Sequence, residues 1–364
     1  MSQLKSVTAE SKQRGRDYGY CNARVRGMRS RLLGRLYFDE LMACPDMKAV
    51  IQMLSGTEYG PDLEQTLLYG HDFAQVDEAL KSNMVRTFRK VLGLVNGEAS
   101  LLVSTLLGRW DLLNIKTILR GKHMHLQAQE ILDSLVAAGQ LTPVELHALA
   151  GEEDVRAVVD TMTTWGLPYA VPFRQAMPDY LKSGELSSLE LAMDRYYWGW
   201  ASDRLKGRRA NYRLARAVLG VQIDATNLLT VFRLLKADME DMEAAGFFLP
   251  GGVVVSEKLF RELATMSDID EVLDRLKPTP FGKPLSEAAM LYLETNSIAT
   301  LERVLEDYVM RRAMSSWRSD PLGAGVIISY LWAKENEVTN LRIIVKANSV
   351  GMPADRARRE LIFV

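Results

Sequence analysis

Apolar residues recur at three- and four-residue spacing along most of the chain, which is typical of amphipathic helices. Two examples of such faces are Leu112, Ile115, Ile118 and Leu119, and Leu291, Ile298, Leu301, Val304 and Leu305. Strict alternation of apolar and polar residues is almost absent, and Gly251–Val255 is the one short stretch that favours a strand. The pattern therefore predicts an all-α protein.

A ten-residue motif occurs three times, and it reads acid, two residues, Asn, an aliphatic residue and a base six positions after the Asn. Its acids are Asp111, Asp224 and Glu337, its asparagines are Asn114, Asn227 and Asn340, and its bases are Arg120, Arg233 and Lys346. Both separations between successive asparagines are 113 residues. Three copies in one register are hard to produce by chance and indicate internal repeats.

A second apolar pattern, with steps of three, six, three and four residues, also occurs three times. The copies are Phe38, Leu41, Met47, Val50 and Leu54; Leu146, Leu149, Val155, Val158 and Met162; and Phe260, Leu263, Ile269, Val272 and Leu276. The pattern predicts one helix that ends near Cys44-Pro45, Ala150-Gly151 or Met266-Ser267, then a second helix that starts at an acidic or hydroxyl cap. A turn with an aromatic residue follows each copy, at Tyr59, Trp165–Tyr169 and Phe281.

These repeats predict three similar helical modules of about 113 residues, at 17–126, 127–241 and 242–364, after a polar N-terminal segment 1–16. Three such modules either stack in a line or close around a pseudo-threefold axis, and the pattern alone leaves both arrangements open. Closure would create a central cavity suited to an axial partner.

The residue types of the motif suggest why it repeats. An acid near the start of a helix and a base near its end both interact favourably with the helix dipole. The amide of the Asn must find partners on a packed face, and the backbone of a neighbouring loop is the natural one. The nine motif residues are therefore expected either to fix the packing of each module or to line an interface.

Composition narrows the class of protein. The 364 residues are 48% hydrophobic and 25% charged, with a net charge of −1, so bulk attraction to nucleic acid or anionic lipid is not expected. Two cysteines, Cys21 and Cys44, fit a reducing compartment rather than a disulfide framework. The longest apolar runs fall short of a bilayer span, and the polar N-terminus is not a secretory signal, so a cytosolic location is predicted.

Catalytic and cofactor motifs are missing from the sequence. No phosphate-binding Gly-rich loop of either common kind is present. His123 and His125 point apart on a helix, and no cluster of cysteines or carboxylates completes a metal site around them. We therefore expect no catalytic residues, no cofactor and no metal.

Basic residues concentrate in two places. Nine bases and only two acids precede residue 36, and a second cluster begins at residue 204. In such helices the basic side is exposed to water, is paired with acids elsewhere in the chain, or binds an acidic surface of a partner. Binding to nucleic acid is not favoured. The candidate partner-binding residues are Arg24, Arg26, Arg29, Arg31, Arg204, Arg208 and Arg209.

The stretch Tyr18–Met28, followed by Leu32-Leu33, resembles the opening of the C subunit of archaeal and bacterial A/V-type ATPases, whose eukaryotic counterpart is the d subunit of the vacuolar ATPase. The three Asn motifs and the closing stretch Ala333–Arg342 resemble helices of the same family, so the likeness spans roughly residues 17 to 350. The resemblance gives no place to Gly246–Val255 and Pro353–Val364 in this pattern.

The resemblance implies a three-module helical funnel with approximate threefold symmetry and no catalytic activity. It implies partners on two sides, the membrane proteolipid ring and the central stalk, and a single copy within the cytoplasmic, membrane-peripheral part of the complex. The implied function is torque transmission for proton or sodium transport. The alternatives are a generic helical scaffold that binds protein or RNA in a concave face, and an enzyme with an unrecognised site.

Overall fold

The computed structural model describes residues 18–237 and 245–363, and every regular element in these ranges is a helix. The first nine helices are α1 (18–29), α2 (Arg35–Met42), α3 (Met47–Ser55), α4 (Gly60–Thr66), α5 (Phe73–Leu94), α6 (Gly97–His123), α7 (Ala128–Leu132), α8 (Pro143–Gly151) and α9 (Val155–Thr164). The others are α10 (Ala170–Ser183), α11 (Ser187–Arg204), α12 (Ala210–Ala237), α13 (Glu257–Ala264), α14 (Ile269–Leu276), α15 (Gly282–Thr295), α16 (Ile298–Met314), α17 (Ser316–Ser319), α18 (Ala324–Ser349) and α19 (Ala354–Glu360). Short 3₁₀ turns occupy Leu67–Tyr69 and Ala245–Phe247. The predicted all-α class is confirmed.

The predicted pair of short helices is present at each of the three places. The first helix of each pair ends at Met42, Gly151 or Ala264. The second begins after an aspartate N-cap, Asp46, Asp154 or Asp268, whose carboxylate accepts an N–H from the first turn. The predicted acidic caps are therefore confirmed.

The chain divides into two compact units. Unit 1 comprises Met1–Leu107, Val136–Leu141 and Met314–Val364, and unit 2 comprises Gly108–Leu135 and Thr142–Ala313. The division into three modules at 17–126, 127–241 and 242–364 stays a prediction.

Unit 1 is built around α18, the helix that carries the third Asn motif. It packs against α2, α3, α5 and α19, so helices from both ends of the sequence share one core. Trp332 on α18 and Phe88 on α5 are fully buried in this unit. The apolar pattern of α18 is nearly continuous around the helix because neighbours cover most of its sides.

Unit 2 contains α12, the helix of the second motif. Its apolar side chains join one core with α13 to α16, in which Phe232, Phe260 and Phe281 are fully buried. By length and composition α12 is the one described helix that would be long and apolar enough to cross a membrane, but 67% of its apolar window is buried inside the protein. This degree of burial is the pattern of a core helix.

Candidate functional site

The acid of the second motif binds the backbone of an extended segment. Asp224 is fully buried, and its carboxylate accepts the N–H groups of Val253, Val254 and Val255 at 2.8–2.9 Å. Burial raises the pKa of Asp224, and the three N–H donors oppose that rise. The short stretch that favoured a strand in the sequence, Gly251–Val255, therefore crosses α12 and is called the strap below. Its backbone N–H groups bond to a side chain instead of to a neighbouring strand.

The asparagines of the second and third motifs bind the backbone in the same way. Asn227 donates to the carbonyl of Leu249 at 2.8 Å and accepts the N–H of the same residue at 2.9 Å. Asn340 makes the same pair of bonds to Ile362, at 2.8 and 3.0 Å. Each partner lies 22 residues after its Asn, which explains why an amide, with a donor and an acceptor side by side, occupies this position.

The acid of the third motif has different partners. Glu337 accepts hydrogen bonds from the Tyr59 hydroxyl at 2.6 Å, from the Lys334 ammonium at 2.8 Å and from the backbone N–H of Leu33. Lys334 and Glu337 are only 3% and 5% exposed. Burial lowers the pKa of Lys334, and burial together with the Glu337 charge raises the pKa of Tyr59. The network joins the first aromatic turn to the last long helix within unit 1.

The first motif shows the same link between an acid and the aromatic turn. Asp111 is fully buried and accepts the hydroxyl of Tyr169 at 3.3 Å, and Asn114 is also buried. The corresponding turn residue for the second motif is Phe281, which has no hydroxyl, and there the acid binds three backbone N–H groups instead. A bond between the acid and an aromatic turn thus occurs in the first and third motifs, and the second motif replaces it with bonds to the backbone.

The bases of the motif tie each long helix to a neighbouring long helix. Arg120 forms a two-bond contact with Glu190 on α11, and Arg233 contacts Glu302 on α16 at 3.1 and 3.3 Å. The Lys346 ammonium lies 4.6 Å from the centre of the Phe73 ring at the start of α5. These contacts give the motif bases partners inside the chain.

The candidate basic residues are spread over different environments. Arg26 donates to the Pro321 carbonyl, Arg29 donates to the Ser329 hydroxyl and lies over the Trp317 ring, and Arg31 pairs with Glu58. In the second cluster, Arg204 lies over the Trp200 ring, while Arg208 and Arg209 are exposed. Arg24 is also exposed.

Exposed apolar side chains at the ends of three helices were not singled out from the sequence. Leu68 and Tyr69, just after α4, are 81% and 85% exposed. Leu181 near the end of α10 and Met290 and Leu293 near the end of α15 are also exposed. Each of these exposed residues follows an aromatic turn by a similar number of residues. Their position relative to that turn was the signal in the sequence that could have identified them.

Buried ionisable groups make the stability of the protein sensitive to alkaline pH. Burial is the largest cause that raises the pKa of Tyr59, Tyr169, Tyr197 and Tyr330. Because these folded-state pKa values lie above the ordinary value of 10.0, their stabilisation is complete below pH 10.0 and is lost as the pH rises through the folded values. The lowered pKa of Lys334 has the opposite effect, because its contribution raises the free energy of unfolding as the pH increases.

We expect the free energy of unfolding, measured with urea above pH 10, to fall by about 1.4 kcal/mol per pH unit for each such tyrosine. Tyr169→Phe removes one of these groups without a change in ring size, and Phe281 fills the corresponding turn in the same chain. The variant is therefore expected to show a slope smaller by about 1.4 kcal/mol per pH unit. An unchanged slope would show that Tyr169 titrates equally in the folded and unfolded states.

Comparison with known proteins gives matches over nearly the whole chain. A family model described as ATP synthase (C/AC39) subunit matches residues 21–360. The C subunit of the V-type ATP synthase of Deinococcus radiodurans is 30% identical over 95% of this chain and 91% of its own length. The C subunits of the A-type ATP synthases of Methanococcoides burtonii and Methanosarcina barkeri are 29% and 28% identical over 100% of this chain and 100% and 98% of their own lengths.

Proposed function

Because this chain belongs to the ATP synthase (C/AC39) subunit family and is one of the subunits of an A/V-type ATP synthase, we propose that it is the non-catalytic adaptor of the rotor. In this proposal it links the central stalk to the membrane proteolipid ring and transmits torque for proton or sodium transport. It works as a single copy at the cytoplasmic side of a membrane-associated complex. The observation that carries the proposal is the similarity to C subunits of these synthases over the full length of the chain.

The buried contacts of the repeated motif support a mechanical role. Asp224 and Asn227 fix the strap and Leu249 on α12 by five hydrogen bonds to the backbone, and Asn340 and Glu337 fix Ile362 and Leu33 on α18. Close-packed helices held by such contacts transmit strain instead of absorbing it. The proposal includes the predicted three-module funnel, whose recurrent acid, aromatic and Asn positions these contacts support.

The exposed apolar helix ends support a contact with the ring. In the sequence, Leu68 and Tyr69 lie between the acidic residues Glu64 and Asp72, and Met290 and Leu293 lie between Glu287 and Glu294. Cytoplasmic loops of membrane proteins carry an excess of Lys and Arg. Apolar side chains with acidic neighbours are therefore suited to bind such loops. Each of the two units would provide its own contact point.

A deletion of the protein from its complex tests the proposed function. ATP-driven ion pumping by membranes should be lost, while ATP hydrolysis by the isolated soluble head should continue, because the chemistry resides elsewhere and only the mechanical link is removed. Re-addition of the purified protein should restore pumping. Pumping that continues without the protein would reject the adaptor function.

A further inference from the structure

Two arginines lie over one tryptophan on the surface of unit 1, and a third arginine lies close enough to repel one of them. We call this group the arginine patch: Arg26, Arg29, Arg318 and Trp317. The guanidinium carbons of Arg29 and Arg318 lie 5.2 and 5.9 Å from the centre of the Trp317 ring. Arg26 is fixed by its bond to the Pro321 carbonyl at 2.6 Å, and Arg29 by its bond to the Ser329 hydroxyl at 2.9 Å. The positive groups are therefore held in place by neutral partners.

No carboxylate of residues 18–237 or 245–363 forms an ion pair with any arginine of the patch. Arg31, two residues after the end of α1, contrasts with them because it pairs with Glu58 at 3.0 Å. The nearby carboxylate of Asp320 accepts the N–H of Gly325. Burial, together with repulsion from Arg26 and Arg318, lowers the pKa of the Arg29 guanidinium. The patch thus concentrates positive charge that an external anion would relieve.

The chemistry of the patch favours a protein partner. Arginines stacked on an aromatic ring present a rigid fork of donors that matches a carboxylate with two bonds, whereas a lysine is a mobile point charge. The patch contains no lysine, and Leu322, 80% exposed, lies in the loop that Arg26 contacts. Arginine and tryptophan beside an exposed apolar residue form the composition that dominates protein interfaces.

We infer that the arginine patch binds an acidic surface of the central stalk. This inference rests on the proposed function, and charge decides between its two partners. Cytoplasmic loops of membrane proteins generally carry an excess of basic residues, so ring loops that follow this rule would repel the patch, whereas an acidic stalk surface would complement it. The patch and the acidic helix ends would then face different partners.

A charge reversal of the two exposed arginines tests the inference. The full-length Arg26→Glu/Arg318→Glu variant leaves the half-buried Arg29 in place, and its binding to purified central-stalk subunits is measured by biolayer interferometry over a range of salt concentrations. We expect stalk affinity at about 100 mM salt to fall at least tenfold, with a weaker salt dependence, and ring affinity to stay unchanged. The Arg26→Lys/Arg318→Lys variant keeps the charge, and a smaller loss there would show the contribution of the guanidinium fork.

The matched control is Lys90→Glu/Arg174→Glu, which makes the same change in net charge at two exposed positions without an ion pair in the described part of the chain. It should change stalk affinity less than twofold, and all variants should unfold at the same temperature as the unmodified protein. Equal stalk binding by the control and the Arg26→Glu/Arg318→Glu variant would overturn the inference. The inference would also be overturned if the Arg26→Glu/Arg318→Glu variant lost its binding to phosphatidylserine vesicles but kept its binding to the stalk. If the unmodified protein binds no stalk, the proposed function and the inference both fail.

Discussion

Replacement of Glu337 by glutamine is expected to lower the free energy of unfolding by about 3–5 kcal/mol, because it leaves the buried Lys334 ammonium without its counter-charge. The pair lies 2.8 Å apart and is almost fully buried. The single oxygen of glutamine can keep the bonds from Tyr59 and Lys334, whereas its NH2 group would face the Leu33 N–H, so the loss reports on the charge and on one hydrogen bond. Urea unfolding at neutral pH measures the difference.

Two companion variants make this prediction specific. The Lys334→Met/Glu337→Gln variant removes both charges and should recover most of the lost stability. Glu257→Gln breaks the exposed pair with Arg261 and should cost less than about 1 kcal/mol. Equal costs for Glu337→Gln and Glu257→Gln would contradict a stabilising buried ion pair between Lys334 and Glu337 on α18.

The Gly252→Ala substitution is expected to destabilise the protein by about 3 kcal/mol, from steric overlap and from weakened hydrogen bonds to a buried carboxylate. A β-carbon at position 252 would overlap the Asp224 carboxylate oxygen, so the strap would have to lift from α12. The bonds from Val253, Val254 and Val255 to the same carboxylate would weaken together. Thermal and urea unfolding both measure the effect.

Gly199→Ala is the matched control for this substitution. Gly199 lies within α11, and a β-carbon there meets no atom within 4 Å. Alanine at this position should stabilise the helix by about 0.5–1 kcal/mol. A loss in Gly252→Ala no greater than the effect in Gly199→Ala would show that the strap does not depend on close approach to Asp224.

The local structure around the repeats followed from the sequence because its signals are local. The apolar steps from Phe38 to Leu54 predicted two short helices, and Asp46 was available as their acidic boundary. The same argument applied to Asp154 and Asp268, since capping depends on residues three positions apart. The need of the Asn amide for a backbone partner was also predictable from its chemistry.

The identity of those backbone partners was not predictable. Leu249 and Ile362 lie 22 residues beyond their asparagines in segments that have no helical pattern. The contact of Glu337 with Tyr59 joins residues 278 positions apart, so no local pattern reports it. Trp317 and Arg318 lie far in sequence from the arginines of α1, and only the fold brings them together.

Retention of the central stalk on an immobilised proteolipid ring tests the adaptor function most directly. The ring is held on a support in mild detergent, and the purified stalk is applied with and without this protein. The account predicts that the stalk is retained only when this protein is present, with one copy of it bound per ring. Equal retention of the stalk without the protein, or failure of the protein to bind the ring, would contradict the account.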